Sequence, residues 1–552
     1  MTETKWSRPA AGREPAAAAL LSWLADPDAP RLCLVTGSAG CGKSTLLAWL
    51  VGHGTREGTL PERRVHGFVP LAKESARTAA WALAQQLRVA ARTPGELATA
   101  LAADQRRTVL VLPNLHAADT LETVTELASD LVALGHIRIV VEVRGDSPAA
   151  RRLLAMRPAV MNLDDSRWTD PERYAVWARK RNTGRTPDEE PRPVPPAVDI
   201  RDPAAVCAAD PWHMTRLYER SHDDHSGLRA AWLRAGASLT REDQSPPDRA
   251  VILLAALGDD AEPKLAKALA ALTEGAPWRV VWRRVRGDVR PPWPGPARAL
   301  ACAHGHVLVV DHQGTLRVVD ETDATAVGRL PEPVQQARAV AATPEGEVLL
   351  LDAQGLLRHR RAPFARKATG LAALLDDEPT LLERLAKAAQ AEPLGPTTAV
   401  AACERLLVLG DATGRVHAVA ASGTTTVRLH EGEVTGVTSL YLTAAENAPG
   451  IPLVYSGGQD GAVRAWGPGF DPLGSPVRSR SCPVTAVASA TTDTGPVLAV
   501  AWADGLVEYH ALDDDGQVRT YWPGAPVHSL AVTESGRLLV GTDQTLVCLR
   551  PV

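Results

Sequence analysis

The sequence predicts a multidomain protein with three parts: an α/β domain, a helical middle region and an all-β propeller of six blades. Three observations carry this prediction. Short apolar runs alternate with amphipathic stretches up to about residue 180, helical periodicity dominates 204–275, and six similar Gly/Asp turns recur after residue 278. A chain of 552 residues is too long for one hydrophobic core, which agrees with several domains.

The first domain is predicted to span residues 1–180. Its apolar runs are short and continuous, as expected for strands of a parallel sheet that helices cover on both faces. These runs are residues 32–35, 65–69, 109–112, 137–143 and 159–163. The stretches between them have helical periodicity, so strands and helices are expected to alternate along the chain.

The middle of the chain is predicted to be a linker followed by helices. Residues 181–203 contain six prolines and little apolar content, which is typical of a linker or a long loop. Residues 204–277 are helical in pattern throughout, and a winged-helix-like arrangement is one alternative for them.

The last part, 278–552, is predicted to be a β-propeller. Six weak copies start near Ala299, Ala337, Thr397, Val434, Val484 and Val527. A period near 40 residues with a Gly/Asp turn between paired strands is typical of four-stranded blades. We expect 278–285 to supply the outer strand of the last blade and 368–392 to form a helical insertion. A β-sandwich is the alternative fold.

The composition limits the classes of partner and compartment. A net charge of −4 gives no general reason to expect nucleic acid or an anionic membrane as partner. Seven dispersed cysteines without a CxxC pair are typical of a reducing cytoplasm. No window approaches the ~20 apolar residues that span a bilayer, and the N-terminus has no apolar signal core. We therefore expect a cytoplasmic protein without a membrane partner.

The strongest local signal is LCLVTGSAGCGKSTLLAWL, residues 32–50, which fits the pattern G-x-x-x-x-G-K-[ST] between a strand and a helix. The pattern predicts that ATP or ADP is bound by a loop whose N–H groups surround the phosphates. The loop residues are Gly37, Ser38, Ala39, Gly40, Cys41 and Gly42. Lys43 would reach the β- and γ-phosphates, Ser44 would ligate Mg²⁺, and Thr45 adds a hydroxyl. A chance Gly-rich turn is the alternative.

Other segments resemble STAND-type P-loop NTPases, relatives of the NACHT and NB-ARC switches. The stretch AAGREPAAAALLSWL (10–24) resembles their GRE element, which implies that Gly12, Arg13 and Glu14 line a base pocket. HIRIVVEVRGDS (136–147) resembles their sensor strand, which implies that Arg144 faces the γ-phosphate. Pro211 takes the place of a family proline beside adenine. Alternatives are a surface ion pair for Arg144 and an ordinary helix start for Pro211.

The resemblance covers roughly residues 10–275 and, with a WD-repeat-like propeller, implies a signalling switch of the kind found in conflict or defence systems. The repeats would sense a ligand, the ATPase would change its conformational state, and an effector would respond to that change. We expect protein partners at the propeller, a separate effector chain, and oligomerisation on activation. The alternative class is a propeller scaffold in which the P-loop is only structural.

One segment departs from the family pattern. TVLVLPNLHAAD (108–119) has an apolar strand, but Pro113, His116 and Ala117 stand where hydrolysing relatives carry acids. Loss of these carboxylates should cost orders of magnitude in rate, which predicts nucleotide binding with weak or absent hydrolysis. Glu142 on the sensor strand could replace the missing acid and give an active ATPase. The alternative for Glu142 is an ordinary salt bridge, to Arg144 or a neighbouring strand.

Two weaker features remain. The segment WRVVWRRVRGDVRPPW (278–293) is rich in Arg and Trp. We interpret it as Trp packing at the junction of the ATPase and the propeller, with Arg directed outward. A nucleic-acid patch is the alternative. His222 and His225 are interpreted as part of a solvated loop rather than a metal site.

Overall fold

The computed structural model describes residues 8–145, 147–182, 198–289, 292–330, 332–365, 379–403, 405–442, 450–513 and 517–552. The chain divides into two compact units, Met1–Val198 and Asp199–Val552. The helical middle region and the propeller therefore share the second unit. Most of the predicted linker, residues 183–197, lies outside the described residues.

Five parallel strands form the sheet of the first unit: β1 (Leu32–Thr36), β2 (Gly67–Phe68), β3 (Thr108–Leu112), β4 (Ile137–Glu142) and β5 (Ala159–Asn162). Their order across the sheet is β2-β3-β4-β1-β5, and the neighbouring strands are parallel. The predicted α/β architecture with a parallel sheet is therefore confirmed.

The helices of this unit are α1 (Glu14–Ala25), α2 (Lys43–Gly54), α3 (Ala76–Leu87), α4 (Pro94–Ala103), α5 (Leu121–Ala133), α6 (Pro148–Leu154) and α7 (Pro171–Asn182). Helix α4 is absent from the sequence-based expectations, because its Pro94-Gly95 start resembles a turn. The Thr93 side chain accepts a hydrogen bond from the N–H of Glu96, and a proline is favourable in the first turn of a helix.

The strands are apolar on both faces because each face of the sheet is covered. In β1, Leu32 and Leu34 belong to the core shared with α3 and α5, whereas Cys33 and Val35 belong to the core shared with α1 and α2. Alternate residues of a strand point to opposite faces, so a continuous apolar run fills both cores. The carboxyl ends of the parallel strands meet at one edge, and the loop with the GKS motif begins there.

The helical part of the second unit contains α8 (Pro203–Ala208), α9 (Pro211–Arg220), α10 (Leu228–Ala235), α11 (Pro246–Ala255) and α12 (Pro263–Ala271), followed by β6 (Trp278–Val285). Residues 198–277 are all described and contain helices and short 3₁₀ turns without a strand. The winged-helix-like alternative is therefore wrong, because a wing needs a pair of strands.

These helices pack on the propeller. The guanidinium of Arg241 lies 3.5 Å from the centre of the Trp522 ring, and the Arg283 side chain on β6 donates a 2.6 Å hydrogen bond to the carbonyl of Leu257. Trp278 and Trp282 are buried. The Arg- and Trp-rich segment thus joins the middle helices to the propeller, and Arg283 points to these helices rather than outward.

Six sheets form the propeller, and each is one blade. The first blade contains β7 (Ala299–Ala303), β8 (His306–Val310), β9 (Leu316–Asp320) and β10 (Ala326–Arg329), and the second contains β11 (Ala339–Ala342), β12 (Glu347–Leu351) and β13 (Leu357–Arg361). After α13 (Leu381–Ala391), the third contains β14 (Thr397–Cys403), β15 (Leu406–Asp411), β16 (Arg415–Ala420) and β17 (Gly423–Arg428). The fourth contains β18 (Val434–Leu442), β19 (Ile451–Gly458), β20 (Ala462–Trp466) and β21 (Arg478–Ser479). The fifth contains β22 (Val484–Thr492), β23 (Gly495–Trp502), β24 (Val507–Ala511) and β25 (Val518–Tyr521). The sixth contains β26 (Val527–Val532), β27 (Leu538–Thr542) and β28 (Thr545–Pro551) together with β6.

The six-bladed propeller is thus confirmed, and the sandwich alternative is wrong. The ring closes where β6 pairs antiparallel with β28, which brings Trp278 opposite Pro551. This pairing gives the last blade its outer strand and joins the first strand of the propeller segment to its last.

Helix α13 lies within the predicted insertion between the second and third blades. Its apolar side, including Leu382 and Leu385, joins a core with strand residues of both blades. The first part of the expected insertion, 368–378, falls outside the described residues. Among the helices that are described, none combines the length and apolar character needed to cross a bilayer.

Candidate functional site

The loop between β1 and α2 has the backbone of an anion-binding loop. Gly37, Gly40 and Gly42 all have positive φ angles, of 137°, 74° and 90°, which residues with a Cβ rarely adopt. Gly42 precedes the first residue of α2, and no side chain caps that helix end. The uncapped N–H groups and the helix dipole therefore favour an anion at this position.

Lys43 turns back over this loop. Its Nζ donates hydrogen bonds to the carbonyl oxygens of Gly37, at 3.0 Å, and Ser38, at 2.8 Å. The residue is buried, so its ammonium group lies within the loop rather than in solvent. Ser38, Ala39 and Gly40 are exposed, which leaves the outer side of the loop accessible. Thr45 follows in the first turn of α2 and is half-buried.

Glu142 is an acidic residue that contacts Ser44 of the GKS motif. It lies opposite Val35 in the register of β1 and β4, and its Oε2 accepts a 3.0 Å hydrogen bond from the Ser44 hydroxyl. Glu142 is only 3% exposed, whereas Ser44 is exposed. The carboxylate therefore supports Ser44 from beneath, with one side of the pair open to solvent.

The surroundings of Glu142 change its pKa in opposing directions. Burial raises the pKa, whereas the hydrogen bond from Ser44, the charge of Lys43 and a hydrogen bond from the backbone of Asn114 lower it. Burial dominates, so the net pKa is raised. Asn114 lies two residues after the end of β3 and has a left-handed backbone, with φ of 60°. The segment after β3 has no acidic side chain here, but it contributes the backbone of Asn114 to a hydrogen bond with Glu142.

The residues at the tip of β3 and after β4 that the sequence singled out do not supply a carboxylate. Pro113 ends β3, and His116 follows in a short 3₁₀ turn with Ala117. Burial lowers the pKa of His116, and the positive charges of Arg144 and Lys43 lower it further. Arg144 is exposed and, in the described part of the chain, forms no ion pair with Glu142. The sequence-based alternative of a Glu142–Arg144 salt bridge is therefore wrong.

Arg13 joins the start of α1 to the loop. It is 2% exposed, and its guanidinium donates to the carbonyl of Leu163 at 3.1 Å, to the hydroxyl of Thr169 and to the carbonyl of Cys41. The same group lies 4.4 Å from the centre of the Tyr174 ring. The GRE segment therefore contacts the loop directly through its arginine.

Two residues at this site were missed in the sequence. Tyr174 on α7 approaches Gly42 so closely that a Cβ there would overlap its hydroxyl. Asp164, just after β5, accepts hydrogen bonds from Ser38 N at 2.7 Å and Ser38 Oγ at 2.8 Å. The position of Asp164 after a parallel strand was a usable signal, because these strand ends share an edge. No comparable signal marks Tyr174.

Pro211 lies in the second unit, where it begins α9. Asp210 caps this helix by accepting a hydrogen bond from His213 N at 2.6 Å. A capped helix start accounts for this proline locally, and its contact with adenine stays a prediction. Across the described residues, no group of three or more His, Cys, Asp or Glu side chains could hold a metal ion.

The propeller contains a buried Ser–His–Asp chain between its third and fourth blades. His430 Nε2 lies 2.8 Å from Ser456 Oγ, and Nδ1 lies 3.0 Å from Asp460 Oδ1. These are the contacts of a hydrolase triad, but Ser456 is 0% exposed and no substrate can reach it. These three hydrogen-bonded side chains therefore link the loop that carries His430 to the β19–β20 turn, and they have no catalytic role.

We expect this histidine to make stability depend on pH. Burial lowers the pKa of His430, the hydrogen bond and charge of Asp460 oppose this, and Arg464 lowers it further. The unfolded chain, with a histidine pKa of about 6.5, then binds the proton more readily than the folded chain. Stability is complete above that pH and falls as the pH drops towards the folded pKa.

Thermal unfolding of the full chain between pH 8 and pH 5.5 measures this effect. The wild type should lose more of its Tm on acidification than His430→Gln, although the variant is less stable at pH 8. Equal losses in the two proteins would show that His430 does not cause the pH dependence.

Among the comparisons with known proteins, only the solved structures gave matches. No family model matches the chain, and no curated protein matches it. Similar solved structures include U3-55K (12% identity, 50% of this chain, 99% of that chain, TM-score 0.32) and the RRP9 WD40 repeats (12%, 50%, 98%, 0.32). The WD40 propeller domain of Doa1 is also similar (12%, 50%, 96%, 0.33). The chain's own six sheets establish the propeller.

Proposed function

We propose that the chain is a nucleotide-binding signalling switch of the STAND type, whose P-loop holds ATP or ADP and whose propeller binds a partner protein. The observation that carries the nucleotide part is the Ser44–Glu142 hydrogen bond beside the uncapped start of α2. It joins a hydroxyl, a carboxylate and an anion-binding helix end in one place, which an accidental Gly-rich turn would not require.

The residues of the loop suit a polyphosphate. The N–H groups of the loop and of the first turn of α2 can donate to phosphate oxygens. Lys43 satisfies its ammonium group with two neutral carbonyl oxygens. A charged phosphate oxygen is a stronger acceptor than these carbonyls. We therefore expect the ammonium group to exchange the carbonyls for phosphate oxygens when a nucleotide binds.

The same edge suits Mg²⁺. Magnesium in nucleotide sites is held by one or two protein oxygen ligands together with phosphates and water. Ser44 and Glu142 would hold it here, because they present a hydroxyl and a carboxylate to one point. Bound Mg²⁺ would neutralise negative charge on the phosphates. Arg13 would line the base side, where it already contacts the carbonyl of Cys41.

The residues favour retention of the nucleotide over rapid turnover. Pro113 and Ala117 cannot accept a proton or position water, and the neutral His116 imidazole does not replace a carboxylate. Arg144 is available to a γ-phosphate, since it forms no ion pair among the described residues. Binding without efficient hydrolysis is the phenotype that this set of groups supports.

A slow but active ATPase is the second candidate, and one observation favours it. Glu142 supports Ser44 from β4, so a carboxylate is present although it comes from a different strand from the one expected. Its raised pKa also suits a group that accepts a proton. The two candidates share the binding step and differ only in turnover.

The propeller supplies the interaction part of the proposal. Propellers commonly present a rigid face to protein partners, and their function depends on the individual site rather than the fold. We propose that a separate effector chain responds to the nucleotide state and that activation involves oligomerisation.

Isothermal titration of the full chain with ATP and ADP, with and without Mg²⁺, tests the proposal. The wild type should bind, and Lys43→Ala should weaken binding by about tenfold or more, because a charge-assisted hydrogen bond contributes about 1.5–3 kcal/mol. Lys73→Ala, which removes an exposed lysine of the same unit, should leave the affinity unchanged. Absence of binding, or equal affinities in wild type and Lys43→Ala, would reject the nucleotide function.

A further inference from the structure

One end of the propeller carries a ring of six equivalent residues, one from each blade. In every blade the start of the inner strand lies beside the end of the second strand. In the first blade, for example, the backbone N–H of Arg298 donates to the carbonyl of Val310 at 2.8 Å. Arg338 does the same with Leu351 at 2.7 Å. The six residues, from the first blade to the sixth, are Arg298, Arg338, Thr398, Thr435, Thr485 and His528.

In four blades the ring residue occupies a break in strand register. The pairing of β14 with β15 shifts between Thr397 and Ala399, and corresponding shifts occur in the fourth, fifth and sixth blades. A bulge of this kind redirects one side chain relative to its neighbours. The backbone therefore places one side chain of each blade at the same level around the ring.

The charge of this ring is confined to one side. The third, fourth and fifth blades contribute threonines, whereas the sixth, first and second contribute His528, Arg298 and Arg338. These three blades are consecutive, since β7 contacts both β26 and β11. The same three residues line a cavity of about 430 Å³ at this end.

The two arginines are available to a ligand. Both are exposed, and within the described ranges neither side chain forms an ion pair. The nearest acid in the cavity, Asp311, is already used. It accepts backbone hydrogen bonds from Gln313 at 2.9 Å and Thr315 at 3.0 Å, and it pairs with Arg317 at 3.1 Å. It therefore does not neutralise Arg298 or Arg338.

We propose that this side of the ring binds an acidic segment of a partner protein, with Arg298 and Arg338 holding its carboxylates. The inference rests on the proposed interaction role of the propeller and specifies the chemistry of the partner. Guanidinium groups match carboxylates with paired hydrogen bonds. The hydroxyls of Thr398 and Thr435 on the opposite side already donate to backbone carbonyl oxygens of the propeller, so the two arginines carry the proposed binding.

A protein fits better than a nucleic acid. Single-stranded nucleic acids are usually bound by aromatic side chains that stack on bases. Among the described residues that line the cavity there is no Phe, Tyr or Trp.

Fluorescence anisotropy of fluorescein-labelled decaglutamate with the full chain, at low salt and without nucleotide, tests the proposal. We expect binding that weakens with added salt. The double variant Arg298→Ala/Arg338→Ala should weaken it by about tenfold or more, since two charge-assisted contacts are lost. Arg329→Ala, which removes an exposed arginine from the outer strand β10, is the matched control and should bind as the wild type does.

Four outcomes would overturn the proposal. They are no decaglutamate binding by the wild type, unchanged binding by the double variant, equal weakening by Arg329→Ala, and tighter binding of an oligouridine than of decaglutamate. The last would assign the ring to nucleic acid. Lys43→Ala should bind decaglutamate normally, and the double variant should bind ATP normally. Failure of the nucleotide function and failure of the acidic-segment site can therefore be told apart.

Discussion

Gly42→Ala is expected to abolish high-affinity binding of ATP and ADP. Two effects act together at this residue. Its φ of 90° is unfavourable for alanine by about 1–2 kcal/mol, and the new Cβ would overlap the Tyr174 hydroxyl. Either the loop or α7 must then move, and the N–H groups at the start of α2 lose their arrangement. Loss of two phosphate contacts, at about 1.5–3 kcal/mol each, corresponds to an affinity lower by about a hundredfold or more.

Two further variants separate the causes. Gly58→Ala is the matched control, because Gly58 has a similar φ of 80° but open space around its Cβ position. It should lower stability slightly and leave nucleotide affinity unchanged. Adding Tyr174→Ala to Gly42→Ala removes the overlap and should restore part of the affinity, because the effects of substitutions at contacting residues are not additive. Titration calorimetry measures all four proteins. Normal affinity in Gly42→Ala would show that the loop does not bind phosphate as proposed.

Glu142→Gln is expected to remove most of the effect of Mg²⁺ on ATP binding. The amide keeps the shape and can still accept the hydrogen bond from Ser44, but it lacks the negative charge that favours a cation. Substitutions of groups that support a metal ligand typically lower metal affinity by about 10- to 100-fold. The affinity for ATP should therefore fall by about tenfold or more when Mg²⁺ is present and change little in EDTA.

The same variant separates the two candidate functions. If the wild type hydrolyses ATP, Glu142→Gln should lower the rate, and an unaltered rate would exclude Glu142 as the replacement acid. Glu122→Gln, at an exposed position in the first turn of α5, is the control for loss of one acidic charge. Circular dichroism confirms that each variant is folded. An equal effect of Mg²⁺ on wild type and Glu142→Gln would contradict the assignment of the cation to this pair.

The elements with strong local patterns could be predicted from the sequence. The strands of the parallel sheet are short apolar runs, and their burial on both faces follows from helices on both sides. The propeller was visible as a repeat, and closure by Trp278–Val285 followed because the last copy needed an outer strand. Both inferences depend on periodicity, which a single sequence contains.

The acid beside the P-loop could be predicted only as an alternative. Its position on the sensor strand suggested a replacement carboxylate, and an ordinary salt bridge to Arg144 or a neighbouring strand was the alternative. The pairing of β1 with β4 places Glu142 against Ser44. The left-handed Asn114, which contributes its backbone to Glu142, is a conformational feature that residue type alone did not indicate.

The contacts over long sequence distances could not be predicted. Arg13 and Tyr174 meet because α7 packs beside the start of α1, and nothing in either segment specifies the other. The middle helices likewise appeared to be a separate region. They join the propeller through contacts such as Arg241 with Trp522, whose geometry depends on the completed ring. Tertiary packing, rather than local preference, determines both arrangements.

The most direct test of the account is the fate of ATP held by the purified full chain. The chain is mixed with ATP and Mg²⁺, freed of unbound nucleotide, and denatured at intervals so that the released nucleotide can be identified and counted. We predict about one nucleotide per chain, as expected for a single P-loop, with ATP converted to ADP only slowly, and little retained by Lys43→Ala. No retained nucleotide in the wild type, or equal retention by Lys43→Ala, would contradict the central claim that this P-loop holds a nucleotide.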